Sequence, residues 1–125
     1  EQLSHLYHGF NKQYKTRFMV KMGDQIVSIK AEDILHFIAE DGIVLLMSKD
    51  VKRYPVDFTL DQMDEMLDPS VFFRINRKVI ININAIQKVT SYSNSRLKIN
   101  NVQLTDDSAI VSRDRVSEFK MWLDR

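Results

Sequence analysis

The chain has 125 residues and a mass of 14.7 kDa, the size of one ordinary domain, able to bury roughly two-thirds of its unfolded surface. Its 44% hydrophobic and 28% charged residues describe a globular composition, and the lack of cysteine excludes disulfide frameworks, thiolate nucleophiles and Cys-based zinc sites. The net charge of +1 hides a partition: residues 1–21 carry +3, residues 22–68 carry −7, and residues 69–125 carry +5.

Residues 1–15 are polar and lack the apolar stretch of a signal peptide. They begin at Glu1, and the expectation is a linker or N-terminal extension of a longer protein, with the domain proper over residues 16–125. No apolar run approaches the roughly 20 residues that cross a bilayer, so a soluble cytoplasmic module is expected. From Arg17 the pattern becomes short β-type runs separated by tight turns. Phe18-Met19-Val20-Lys21-Met22 and Gln25-Ile26-Val27-Ser28-Ile29-Lys30 flank Gly23-Asp24 and read as a hairpin. After the polar corner Ala31-Glu32-Asp33, strands Ile34 to Ala39 and Ile43 to Met47 bracket Glu40-Asp41-Gly42, in which Asp-Gly is a strong hairpin signal. A strand from Val51 to Val56 follows, and Pro55 places it at an edge or a strand end.

The period then changes. Leu60, Met63, Met66 and Leu67 lie on one helical face, Thr59 with Gln62 fits a capping box, and Pro69 lies just beyond the end. A short helix over about residues 57–68 is expected, with Asp61, Asp64, Glu65 and Asp68 forming a solvated outer face. Beyond Pro69 the expected strands are Val71 to Ile75, Val79 to Ile81, Ile86 to Tyr92, Arg96 to Ile99, Val102 to Leu104 and Ala109 to Val111. Asn94-Ser95 and Asn100-Asn101 mark turns. Ser112 is expected to cap a last helix, about residues 112–124, with Val116, Phe119, Trp122 and Leu123 on its buried face. Many short strands and two modest helices, without a βαβ rhythm, make the fold mainly β.

An enzyme is disfavoured: GxGxxG, P-loop, HExxH and GxSxG motifs are all missing. His5 and His8 could share a metal only with a third ligand from elsewhere, and read better as surface histidines. His36 lies in an apolar strand and reads as an exposed or satisfied strand residue. No metal or cofactor is expected. Two features are more informative. From Ser70 to Thr105 there is no Asp or Glu, while Arg74, Arg77, Lys78, Lys88, Arg96 and Lys98 all fall there, a footprint suited to a polyanion or a scatter of solvated cations. Within it, Asn76-Arg77-Lys78 is a polar insert between apolar strands. Asn can pair with adenine, Arg with guanine, and Lys can neutralise phosphate; the plainer alternative is a bulge or turn with Asn76 at positive φ. Ser112-Arg113 offers a second pair, with the hydroxyl and helix-entry N–H groups for phosphate and Arg113 for a base edge, against a plain N-cap with an exposed arginine.

These segments resemble the LytTR family, the DNA-binding domains of bacterial response regulators of the LytR/AlgR type. The resemblance runs through Ala31-Glu32-Asp33-Ile34-Leu35-His36-Phe37-Ile38, the block from Phe72 to Asn82, Ile86, Val111-Ser112-Arg113 and Phe119-Lys120-Met121-Trp122-Leu123, covering about residues 17–125 in the family's order. It implies an elongated stack of short, mostly antiparallel sheets whose loops enter major grooves of double-stranded DNA, as the output domain of a two-component transcription regulator. By position, Asn76 and Arg77 would lie near base edges, Lys78 near phosphate, and Arg113 at the second reading loop with Ser112. Arg74 would contact phosphate or support the loop. Arg96 and Lys98 are assigned to the flanking backbone from charge alone. The family often has His at the position of Asn76, and its DNA-approaching loop reads Glu40-Asp41-Gly42 here, so that loop is expected to stay back from phosphates. The resemblance further implies a covalently linked receiver domain, or in some relatives a membrane segment, and a homodimer on a site of repeated halves. The competing expectation is a β-rich protein-interaction module that lacks sequence-specific DNA binding.

Overall fold

A computed structural model describes residues 13–100, 103–105 and 107–125. Among the described residues ten strands and two short helices follow in chain order: β1 (Arg17–Met22), β2 (Gln25–Lys30), β3 (Ile34–Glu40), β4 (Ile43–Ser48), β5 (Arg53–Val56), α1 (Leu60–Met66), β6 (Phe72–Asn76), β7 (Val79–Asn82), β8 (Lys88–Tyr92), β9 (Arg96–Asn100), β10 (Ile110–Val111) and α2 (Val116–Leu123). All pairings are antiparallel and fall into three sheets: β1-β2, β10-β9-β8 and a central β5-β4-β3-β7-β6. The mainly β expectation is met.

The central sheet is buried on both faces, and the period-2 alternation of its strands distributes side chains between two cores. One core joins Phe18, Val20 and Ile29 of the hairpin to Phe37, Leu46, Phe72 and Ile80 of the central sheet and to Leu60 and Met63 of α1. The other joins Ile38, Ile75, Val79 and Ile81 to Ile99, Ala109 and Val111 and to Phe119 and Trp122 of α2. Aromatic contacts anchor each: Phe37 lies 5.2 Å from Phe18 and 5.9 Å from Phe72, and Phe73 lies 5.5 Å from Phe119 and 5.2 Å from Trp122. The Trp122 indole N–H donates to the Pro69 carbonyl at 2.8 Å, so the end of α2 is fixed to the segment leaving α1.

Local chemistry sets the turns. Gly23 (φ 60°) starts the first hairpin turn, and Asp41 (φ 52°) with Gly42 (φ 79°) makes the second, both backbone states that β-hairpins favour. Asn94 (φ 58°) and Ser95 (φ 60°) turn β8 into β9. The capping box of α1 is complete: Gln62 N–H donates to Thr59 Oγ1, and Thr59 N–H donates to Gln62 Oε1. Pro55 lies in β5, the edge strand, as expected.

Several expectations are corrected. The strand expected from Val51 starts at Arg53, because Val51 adopts φ 62°, a left-handed state foreign to a strand. The strand expected from Ile86 begins at Lys88, since Asn82 Oδ1 accepts from Asn84 N–H and starts a 3-10 turn over Ile83–Ala85. Gln103 (φ 59°) and Leu104 form no strand, and Val102 and Asn101 lie outside the described residues. Ser112 makes no side-chain cap; a 3-10 turn, Arg113–Arg115, precedes α2. Of the two alternatives for His36, exposed or satisfied, the structure excludes the exposed one, since the residue is buried. His5, His8 and residues 1–12 of the expected linker lie outside the described residues.

Removing a side chain from the middle of a core should be far more damaging than removing one from the outer hairpin face. Phe37→Ala is expected to destabilise the fold by about 3–5 kcal/mol, and Met19→Ala, at an exposed position, by no more than about 0.5 kcal/mol. Urea denaturation of the two variants checks this.

Candidate nucleic-acid interface

The register brings two turns to one end of the central sheet. Ile38 of β3 pairs with Val79 of β7, so the turn leaving β3 (Asp41-Gly42) and the turn entering β7 (Arg77-Lys78) share an end of the central sheet. Ala39 N–H donates to the Lys78 carbonyl at 2.9 Å, which joins them. On the other face, Ser112 N–H donates to the Ile75 carbonyl at 2.9 Å, tying the start of the Arg113–Arg115 turn to β6.

The Arg77-Lys78 turn lacks the usual means of reversing a hairpin in two residues. Asn76 pairs with Val79, yet neither Arg77 nor Lys78 has positive φ. Turns without that twist splay the flanking strands, and the compensation is visible on either side. A bulge between Arg74 and Asn76 shifts the register. Asn76 Oδ1 accepts from Lys78 N–H at 2.8 Å, an Asx-turn. The Asn76 amide N–H groups donate to the carbonyls of Ser108 at 3.1 Å and Ile110 at 2.8 Å. The side chain therefore uses its acceptor and both of its donor hydrogens inside the fold. Asn76 was expected near a base edge. The structure instead makes it the clamp between this turn and the segment entering β10, without the positive φ of the plainer alternative.

Arg74 is likewise committed to the protein. Alternation along β6 sends Phe73 and Ile75 to the α2 side and Phe72 and Arg74 to the α1 side. There, Arg74 Nη1 donates to Asp61 Oδ1 at 2.6 Å and to Asp64 Oδ2 at 2.9 Å, and Nη2 donates to the Arg77 carbonyl at 2.7 Å. Burial opposes the charge, but the carboxylates outweigh it and hold the guanidinium pKa above its ordinary value. The alternative of loop support is the one this geometry fits, and phosphate contact is not. The acidic face of α1 is correspondingly not just solvated, since two of its carboxylates bind Arg74.

The side chains of Arg77 and Lys78 are left exposed. Together with Asn76, Arg96, Asp107, Ser108, Ile110 and Ser112 they line a shallow groove of about 390 Å³. Arg96 stacks 4.9 Å from the Tyr92 ring and donates to Ser93 O and Oγ, which fixes its guanidinium at the groove wall. Arg113, also exposed, follows Ser112 directly, while the Ser112 hydroxyl donates to the Ile75 carbonyl at 3.4 Å rather than facing an anion. Lys98 is half-buried in the middle of β9 and does not line the groove. The expected residues thus divide: Arg77, Lys78 and Arg96 line one groove and Arg113 is exposed next to its lining residue Ser112, while Asn76, Arg74 and Ser112 hold the frame.

Three residues with a part in this arrangement escaped the sequence reading. Asp61 and Asp64 are three apart on α1, and the parity of Arg74 with Phe72 was the available sign that they would meet. Arg115, whose Nη1 donates to the Arg74 carbonyl at 3.3 Å, gave no sign.

A family model described as the LytTr DNA-binding domain matches residues 24–124. The chain is 31% identical over 108 residues to the sensory transduction protein LytT of Bacillus subtilis, an alignment covering 86% of this chain and 43% of that protein. It is 29% identical over 105 residues to LytT of Enterococcus faecalis, covering 77% of this chain and 42% of the relative. The chain therefore spans less than half the length of these curated relatives. In fold it is similar to the LytTr DNA-binding domain of a methyl-accepting/DNA response regulator from Bacillus cereus, with a TM-score of 0.75, 18% identity, and coverage of 89% of this chain and 99% of that one.

Asn76→Ala would leave the carbonyls of Ser108 and Ile110 and the Lys78 N–H without their partner. The expected cost is about 1–3 kcal/mol, read from urea unfolding, with faster amide exchange at Lys78 than in the unmodified protein.

Proposed function

The chain belongs to the LytTr DNA-binding domain family, and on that basis we propose that it binds double-stranded DNA sequence-specifically as the output domain of a transcription regulator. Arg77 and Arg113 read base edges in the major groove, while Lys78 and Arg96 neutralise backbone phosphates. One observation carries this reading: among the described residues, every hydrogen bond that shapes the Arg77-Lys78 turn is made by its backbone or by a neighbour, so the two cationic side chains project from a connector that is itself held rigid. A guanidinium so placed can offer two parallel donors to guanine O6 and N7, and a lysine ammonium suits a phosphate as a compact charge.

Physical requirements on both sides agree. Phosphate contacts supply affinity and orientation but no sequence information, so a reader needs at least one rigidly placed group at a base edge. The hydrogen bond from Ser112 N–H to the Ile75 carbonyl supports the presence of two such groups, since it couples the Arg113 connector to the strand that leads into Arg77. The turn at Asp41-Gly42 occupies the same sheet end and presents carboxylates, which repel phosphates, so the duplex is expected to favour the Arg77 and Arg113 side of that end. A covalently linked receiver domain in the complete protein and a homodimer on a site of repeated halves complete the proposal.

Selection from a random duplex pool should yield a preferred site, and a gel shift on that site measures the contributions. Arg77→Ala and Arg113→Ala are each expected to lose about 1–3 kcal/mol and to relax preference at a few base pairs; Lys78→Ala should weaken all sequences alike and lower the salt slope by about 1. Full specific affinity in the Arg77/Arg113 double alanine would remove the assignment of both residues.

A further inference from the structure

We propose that the two carboxylates on the outer face of α1, Asp61 and Asp64, position the Arg77 reading turn through Arg74, and that by binding Arg74 they also keep its charge away from DNA phosphates. The inference rests on the reading of Arg77 given above and assigns α1 a part in specificity. Arg74 is a positioning residue in this scheme, and the carboxylates act through it.

The geometry is that of a rigid fork. Both acceptors on Nη1 come from one helix, at 2.6 and 2.9 Å, and the guanidinium is planar, so fixing Nη1 fixes the direction of Nη2. Nη2 meets the Arg77 carbonyl at 2.7 Å and so orients the peptide plane between Arg77 and Lys78. From the opposite side, Arg115 Nη1 holds the Arg74 carbonyl. The turn needs such a hold because neither of its residues adopts the left-handed state that would close it unaided.

Exposure separates this role from an ordinary stabilising one. The Asp61 side chain is 88% exposed and that of Asp64 43%, whereas that of Arg74 is 16% exposed. Ion pairs with carboxylates this open contribute little to fold stability. Their effect lies in where they direct a half-buried cation. Without them Arg74 would be a further positive charge beside the reading turn, adding affinity for any sequence and none for the correct one.

The test is the Asp61→Asn, Asp64→Asn double variant of this chain, with Asp64→Glu as the charge-preserving control. In the absence of DNA, the amide resonances of Arg77, Lys78 and Val79 are expected to move in the double variant while those of Ile81 and Phe119 stay. On DNA, affinity for the selected site is expected to fall by about tenfold. Affinity for random duplex should rise, with a salt slope steeper by about 1. Asp64→Glu should keep the original behaviour. Turn amides that stay in place, or an unchanged ratio of specific to random binding, would overturn the proposal. Should the unmodified chain itself show no sequence preference, the reading of the preceding subsection fails, and the amide shifts alone decide whether the carboxylates set the turn.

Discussion

A two-residue connection between antiparallel strands closes most readily when one of its residues takes a left-handed backbone, and Arg77 and Lys78 take none. The rest of the site can be understood as the response to that constraint. The register slips by one residue at Ile75, the Asn76 side chain caps Lys78 N–H, Arg74 holds the Arg77 carbonyl, and Ala39 holds the Lys78 carbonyl. Glycine would have closed the turn without help, but glycine carries no group that can read or neutralise anything. The fold uses side chains with chemical reach at the tip and transfers the work of shaping the backbone to residues around it.

That transfer requires neighbours on both sides of β6, and the two-faced burial of the central sheet supplies them. Successive residues of a strand point to opposite faces, so Arg74 reaches α1 while Ile75 enters the core built with α2. The same strand therefore couples the Arg77 connector to both helices. It also couples that connector to the other one, because the Ile75 carbonyl accepts from Ser112 N–H immediately before Arg113. A sheet with one solvated face could brace the turn from one direction only.

How far the sequence revealed this depends on the range of each interaction. The hairpins at Gly23-Asp24 and Asp41-Gly42 and the Thr59–Gln62 cap were legible because their causes lie within a few residues. The mainly β class followed from strand spacing, and the cationic character of the groove from an acid-free run. Asn76 was misread because the carbonyls it binds lie 32 and 34 residues away, and a side chain that could pair with adenine can equally bond to a peptide group. The carboxylates of α1 read as merely solvated for a related reason: charge on a helix face does not by itself say which strand arginine lies opposite, and only the parity of Arg74 with Phe72 hinted at it. Val51 shows the local limit, a residue of strong β preference held at φ 62° in a tight turn whose 2.9 Å bond runs from its own N–H to the Ser48 carbonyl.

The division of labour at the tip has a practical corollary. Among the described residues, none of the hydrogen bonds that shape the Arg77-Lys78 connector uses the side chain of either residue. Those two positions are thus interchangeable parts on a fixed mount: many residue types could be installed there without rebuilding what lies beneath. A library randomised at 77 and 78 alone is then a compact way to vary the surface chemistry of the tip, whereas diversity spent on 74 or 76 would mostly be lost to misshapen backbones.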